Sequence, residues 1–252
     1  HILDVLAQVP ASVEKVFCVD DGCPEETGRH VETNCADPRV RVVYRPVRGG
    51  VGAATQSGFE AAIDAGCRVI VKMDGDGQMD PSMIPRLVEP ILSARADYAK
   101  GNRFFQIEHA RGMPGIRLVG NAALSFFNKL STGYWRVFDP NNGFLAVHVE
   151  VLQLIPMHKV HDGFFFESDM LFRLNILRAV VADVPHVARY ADEVSKLSVP
   201  RVTPLFAGYH LRNFFKRIFY NYFLRDFHVA SLEWVLGLAF MLAGTAFGAL
   251  KW

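Results

Sequence analysis

Cysteine is scarce in this sequence and falls into no pattern. Cys18, Cys23, Cys35 and Cys67 form no Cys-x-x-Cys pair and show no metal-ligand spacing with histidine. That excludes a zinc-ribbon type of site and leaves ordinary reduced thiols of a cytosolic domain. Net charge is equally slight. Lys and Arg total 27 against 26 Asp and Glu, so no global surplus of positive charge points to nucleic acid. There is no internal repeat and no low-complexity linker. No signal peptide opens the chain: His1 to Leu6 reads as the middle of an amphipathic helix without start methionine or cap, as expected of a fragment whose own beginning lies upstream. Long apolar runs are missing until the far end.

What is present is a chain of 252 residues, half of them hydrophobic. That length suits one large domain, or one domain plus an appendage, with ample core. Short apolar runs alternate with helical patterns. Val16 to Val19, Val40 to Tyr44, Val69 to Met73 and Tyr98 to Gly101 read as strands. Gly52 to Ala65 and Pro81 to Ala94 read as helices, the second with Asp80 as cap and Pro81 in its first position. Strands alternating with helices predict an α/β fold with a mostly parallel sheet and flanking helices.

The character changes after Val199. Leu211, Phe214, Phe215, Ile218, Phe219 and Tyr222 recur at helical spacing, with Arg212, Lys216 and Arg217 on the other side. From Arg201 to Arg225 there are Lys and Arg but no Asp or Glu. Such a segment fits a helix lying on a membrane surface or a core helix of the same domain. The adjoining stretch favours the former. Leu232 to Leu250 is broken only by Glu233 and has about the length of a membrane-spanning helix. The predicted organisation is an α/β domain over residues 1–200, an amphipathic interface helix over 201–229 and a transmembrane helix over 230–252. The Lys/Arg excess before the span predicts a cytoplasmic domain.

In parallel α/β sheets ligands bind at the carboxyl ends of strands. Two such ends here carry carboxylates: Val19-Asp20-Asp21-Gly22 and Met73-Asp74-Gly75-Asp76-Gly77-Gln78. Two aspartates one residue apart, with glycines that let the chain turn, can face one cleft. Their hard oxygens suit Mg2+ or Mn2+ shared with substrate phosphates. A plain turn is the other reading of this segment. A calcium loop is excluded, because the twelfth position from Asp74 is Pro85 rather than Glu.

These motifs, with Gly49-Gly50-Val51-Gly52-Ala53-Ala54 between them, resemble family-2 glycosyltransferases, and among these the dolichol-phosphate mannose synthases and bacterial polyprenyl-phosphate glycosyltransferases. Further elements follow in order. Gly101-Asn102-Arg103-Phe104 is similar to the subgroup's Gly-Ser-Arg element. Asp139-Pro140-Asn141-Asn142-Gly143-Phe144 is similar to Asp-x-x-x-Gly-Phe. Glu167 fits an acidic position at a helix head, and Val184-Pro185, Arg189 and Ser195-Lys196 match a Val-Pro…Arg…Ser-Lys element. Two departures stand out. The family's opening strand, ending in a Pro-x-Tyr-Asn-Glu-like motif, is absent, and Glu193-Val194 replaces the usual glycine before Ser-Lys.

The resemblance implies a GT-A, Rossmann-like fold and an inverting transfer of sugar from a nucleotide-sugar, of GDP-mannose or UDP-glucose type, to a polyprenyl or dolichyl phosphate. It implies that Asp74, Asp76 and Gln78 hold Mg2+ or Mn2+. It places Asp20, Asp21, Gly50 and Gly52 at the nucleotide, and Arg103, Arg117, Arg189 and Lys196 on phosphate oxygens, with Asp76, Arg103, Arg189 and Lys196 at the reacting centre. Asp139 and Glu167 are acceptor-side polar residues or helix caps. A rival is a polysaccharide synthase or other cell-envelope enzyme using a sugar hydroxyl, although Trp135, Trp234 and Trp252 lie in no Gln-x-x-Arg-Trp motif. Another is a membrane scaffold that has lost catalysis.

Overall fold

The computed structural model describes residues 1–103, 115–186 and 199–251, the stretches 115–123 and 199–203 by their backbone. After a short helix α1 (Ile2–Ala7), strand β1 (Val16–Asp20) leads through α2 (Thr27–Asn34) to β2 (Val40–Tyr44). The two strands pair in parallel, Val16 beside Val40 and Asp20 beside Tyr44. Helix α3 (Val51–Asp64) then carries the chain to β3 (Val69–Lys72).

A second sheet has the order β3-β5-β4-β6. Helix α4 (Ile84–Leu92) precedes β4 (Tyr98–Asn102), and α5 (Gly115–Thr132) precedes β5 (Leu145–His148). Short α6 (Val149–Leu154) and then α7 (Phe166–Ile176) lead to β6 (Val181–Pro185). Strand β5 runs antiparallel to both neighbours, whereas β4 and β6 are parallel. The α/β layering is as expected from the sequence, but the sheet is mixed rather than mostly parallel. The difference lies in β5, a four-residue strand that follows α5 and enters between β3 and β4 antiparallel to both.

The strands alternate their faces as a pleat requires. Leu145 and Val147 join Tyr98, Phe166 and Leu171 in one buried cluster, and Phe144 and Ala146 join Ala99, Leu87 and Val184 in the other. Burying each large apolar side chain contributes about 1.5–3 kcal/mol, so this sheet, covered on both faces, is the stable centre of the molecule. The smaller sheet is less buried: of β1 only Asp20 is fully enclosed. The two sheets share no hydrogen-bonded strands among the described residues. The unpaired edges of β1 and β3 instead line one cavity of about 1650 Å3, together with α1, α3 and the Asp74–Asp76 segment.

Helix α8 (Val199–Phe219) continues through one π-helical turn (Tyr220–Arg225) to α9 (Val229–Lys251). Helix α8 docks on α5 and α7 by its polar residues. The Asn213 amide donates to Asp169 Oδ1 at 3.0 Å, Arg217 donates to the Leu130 carbonyl at 3.0 Å, and His210 Nδ1 lies 2.8 Å from Ser131 Oγ. Burial pushes the His210 pKa down to about 4, so the ring is neutral. Leu211, Phe215 and Phe219 face outward. The apolar and polar stripes read from the sequence both divide, since Ile218 is buried and Phe214 half-buried. Arg217 turns inward with the docking face, and Arg212 and Lys216 stay at the surface. Helix α9 is 23 residues long and almost unpacked, and among the described residues it is the one helix long and apolar enough to cross a membrane.

Candidate active site

The carboxyl end of β1 presents two aspartates with different surroundings. Asp20 is buried, and its two oxygens accept from the N–H groups of Cys23 and Gly28, each at 2.7 Å. This fixes the turn after β1 and the start of α2. Asp21 accepts from Gly49 N at 2.9 Å, Gly50 N at 2.7 Å and Arg45 Nε at 2.8 Å. Partial burial opposes ionisation, yet the two N–H donors and the guanidinium hold its carboxyl below the usual range.

The glycine pair before α3 is shaped by the protein itself. Gly50 has φ of +100°, where other residues are strained. A Cβ on Gly52 would lie 2.8 Å from the Asp162 carbonyl carbon, because the His161–Gly163 turn packs against the helix start. The Asp162 carbonyl accepts from Ala53 N at 2.9 Å. The expected nucleotide-side residues Asp20, Asp21, Gly50 and Gly52 thus build one closely packed, hydrogen-bonded corner.

The second strand end carries Asp74, Gly75, Asp76, Gly77 and Gln78. Gly77 has φ of +82°, and Asp76 Oδ1 accepts from Gln78 N at 3.0 Å, a local turn that sets the two aspartates on one loop. Asp80 caps the next helical turn by accepting from Ser82 N at 3.0 Å, as the sequence predicts. Asp74 is held by a residue that sequence reasoning passed over. Lys72 Nζ lies 2.7 Å from Asp74 Oδ1 and 3.6 Å from Glu167 Oε1. Both Lys72 and Glu167 are buried. Burial alone would lower the lysine's pKa, but Asp74 and Glu167 hold it above the ordinary value. Gly143 leaves the room for this pair: a Cβ there would collide with Lys72 Nζ and lie 2.7 Å from Asp74 Oδ2.

The same turn reaches the neighbouring strand. Lys100 is fully buried and donates to the Asn142 carbonyl at 2.5 Å. The Asn142 amide donates to the Gly101 carbonyl at 2.9 Å, and its Oδ1 accepts from Phe144 N at 3.0 Å. Beyond it, Arg103 forks onto buried Asp139, with Nε 2.7 Å from Oδ2 and Nη2 3.1 Å from Oδ1. Asp139 is therefore the anchor of Arg103, and Glu167, at the head of α7, is the partner of Lys72. Charges alternate through this region as Asp74, Lys72, Glu167, Lys100, Asp139 and Arg103.

Asp74, Asp76 and Gln78 offer two carboxylates and an amide. Among the described residues no group of three or more His, Cys, Asp or Glu is arranged to hold a metal. A donor set of this size fits a hard divalent ion that keeps waters and takes its remaining ligands from a diphosphate. Arg117 lies within α5, with its side chain outside the described set, and Arg189 and Lys196 lie outside the described residues.

A signal for the missed lysines was present. Lys72 ends the apolar run Val69–Val71, and Lys100 falls within the short strand that starts at Tyr98. A charge placed there is enclosed by the sheet and needs a carboxylate partner.

Residues 2–155 match the family model described as glycosyl transferase family 2. The chain is 31% identical over 172 residues to an undecaprenyl-phosphate mannosyltransferase of Micrococcus luteus, covering 68% of this chain and 70% of that protein. It is 34% identical over 173 residues to a polyprenol monophosphomannose synthase of Mycolicibacterium smegmatis, covering 68% and 64%. Among solved structures, glucosyl-3-phosphoglycerate synthase from Mycobacterium tuberculosis, in complex with Mn2+, UDP-glucose and phosphoglyceric acid, superposes with a TM-score of 0.61 at 20% identity, covering 86% of this chain and 74% of that one.

Proposed function

The chain belongs to glycosyl transferase family 2, and from that premise we propose that it transfers a sugar from a nucleotide-sugar to a polyprenyl or dolichyl phosphate at the cytoplasmic face of a membrane. The observation that carries the reading is the Asp74–Gln78 loop, set at a strand end and joined through the Asp139–Gly143 turn to the Arg103–Asp139 fork, in a domain that continues into an exposed apolar helix. The names of the similar mannosyltransferases support the acceptor class.

Asp74, Asp76 and Gln78 would hold Mg2+ or Mn2+, which supplies positive charge to the departing diphosphate. Asp20 and Asp21, through the corner they fix, would shape the nucleoside pocket. A lipid phosphate is already an anionic nucleophile at neutral pH and needs no general base. The chain's own residues then bind and orient. Asp139 holds the Arg103 guanidinium plane, ready for phosphate oxygens. Arg117, Arg189 and Lys196 are proposed for the remaining phosphate contacts. Attack on the anomeric carbon from the face opposite the diphosphate inverts the configuration.

The test uses the full chain in detergent, with GDP-mannose or UDP-glucose and undecaprenyl phosphate. A lipid-linked sugar should form, chelator should stop it, and Asp76→Ala should lose metal-stimulated transfer while keeping its Tm. Equal transfer to a free oligosaccharide would assign the acceptor to sugar hydroxyls. Full activity of the variant under chelation would remove the metal from the reading.

A further inference from the structure

Lys72 occupies an unusual place for a lysine. It ends β3, its side chain is 8% exposed, and its ammonium touches Asp74 at 2.7 Å and Glu167 at 3.6 Å. Nothing in the proposed chemistry employs it. Yet it holds one oxygen of a carboxylate assigned to the metal, and Gly143 is bare of side chain where the two meet. Glu167, the second partner, is also nearly enclosed, at 9% exposure. This cation is therefore not a solvated surface charge.

Its position has an electrostatic consequence. Before any ligand arrives, Asp74 is already paired. A divalent ion approaching Asp74 and Asp76 meets one carboxylate whose charge is offset by an ammonium within contact distance. In a partly buried site that repulsion is large compared with thermal energy. A nucleoside diphosphate changes the balance, since it brings its own negative oxygens to the ion. Resting on the reading of Asp74 and Asp76 as metal ligands, we propose that Lys72 is a positioning residue that makes divalent-cation binding conditional on the diphosphate. The lysine offsets one of the two carboxylate charges of the empty loop and holds Asp74 in place. The cation then enters together with the donor rather than ahead of it. Glu167 moderates this role, because it takes up part of the lysine's charge.

The proposal predicts opposite effects for its two members. Binding of Mn2+ to the full chain in detergent is titrated by loss of the free-ion paramagnetic resonance signal, alone and with GDP or UDP present. The parent protein should bind Mn2+ weakly alone and much more tightly with the diphosphate. Lys72→Met should bind Mn2+ alone on the order of tenfold more tightly or better, and the gain from diphosphate should shrink to match. Glu167→Gln nearly preserves shape and leaves the ammonium uncompensated, so it should bind Mn2+ alone more weakly than the parent. This second variant decides the matter if Lys72→Met does not fold. Unchanged binding in Glu167→Gln, or Mn2+ binding in Lys72→Met no tighter than in the parent, overturns the proposal. Asp76→Ala separates the two levels: undiminished Mn2+ binding there would overturn the metal assignment itself, along with the inference built on it.

Discussion

Lys100 shows how one enclosed charge becomes a measurable pH effect. It is wholly buried on β4, and burial pushes its pKa down to about 8. In the unfolded chain the value returns to about 10.4. Between those limits the unfolded chain holds a proton that the folded protein has released, so stability rises with pH across that window. Below about pH 8 both states carry the charge and the cost of burying it is at full strength. Lys72 has the opposite sign. It is held above its ordinary value by Asp74 and Glu167, so its contribution is fully present below about pH 10.4 and is lost above it. The unfolding free energy of the parent minus that of Lys100→Met should therefore climb between about pH 8 and pH 10, by up to about 1.4 kcal/mol per pH unit. A flat difference across that range would mean that Lys100 keeps its proton in the fold.

At the scale of elements, α8 separates two properties that its sequence merges. The docking residues His210, Asn213 and Arg217 are buried against α5 and α7, whereas Leu211, Phe215 and Phe219 are exposed. Asn213→Ala should leave the enclosed Asp169 short of a donor and cost about 1–3 kcal/mol of stability, read as a fall in Tm. Replacing Leu211, Phe215 and Phe219 together by serine should leave Tm nearly unchanged. On the interfacial reading it should also weaken binding of the detergent-free domain to anionic vesicles by tenfold or more. A fall in Tm with unaltered vesicle binding would show that the outer face is covered by protein. The same helix shows what periodicity can convey. The apolar repeat gives the helix and its outer stripe. It does not reveal that Arg217 turns inward, because that depends on the Leu130 carbonyl of another element. Likewise β1, β2, β3 and β4 are readable as apolar runs, and Asp80-Pro81 as a cap. Strand β5 is only four residues long and follows a loop of polar residues, so no period identifies it. The aspartates of the candidate site stand out in their motifs. Their partners Lys72, Lys100, Asp139 and Glu167 meet only once three strands and α7 are assembled.

At the scale of the whole chain from His1 to Lys251, the division into two sheets governs how these residues come apart. The larger sheet has its strands enclosed on both faces, and β4 is buried along its whole length. The smaller has two strands of which only Asp20 is fully enclosed, and its outer edge looks into the cavity rather than onto β3. A two-stranded pair is marginal by itself. The link between the halves is carried mainly by α3 and side-chain packing, not by a continuous ladder of backbone bonds. Opening of β1 and β2 then costs less than global unfolding. Amide exchange should distinguish the halves: amides of β1 and β2 should exchange well before those of β4 and β5, with the difference vanishing only under conditions where the whole chain unfolds. Uniform protection across both sheets would show a single cooperative unit. On this view the Asp20–Asp21 corner is the part of the molecule that breathes, and the Asp74 loop is mounted on the part that stays shut.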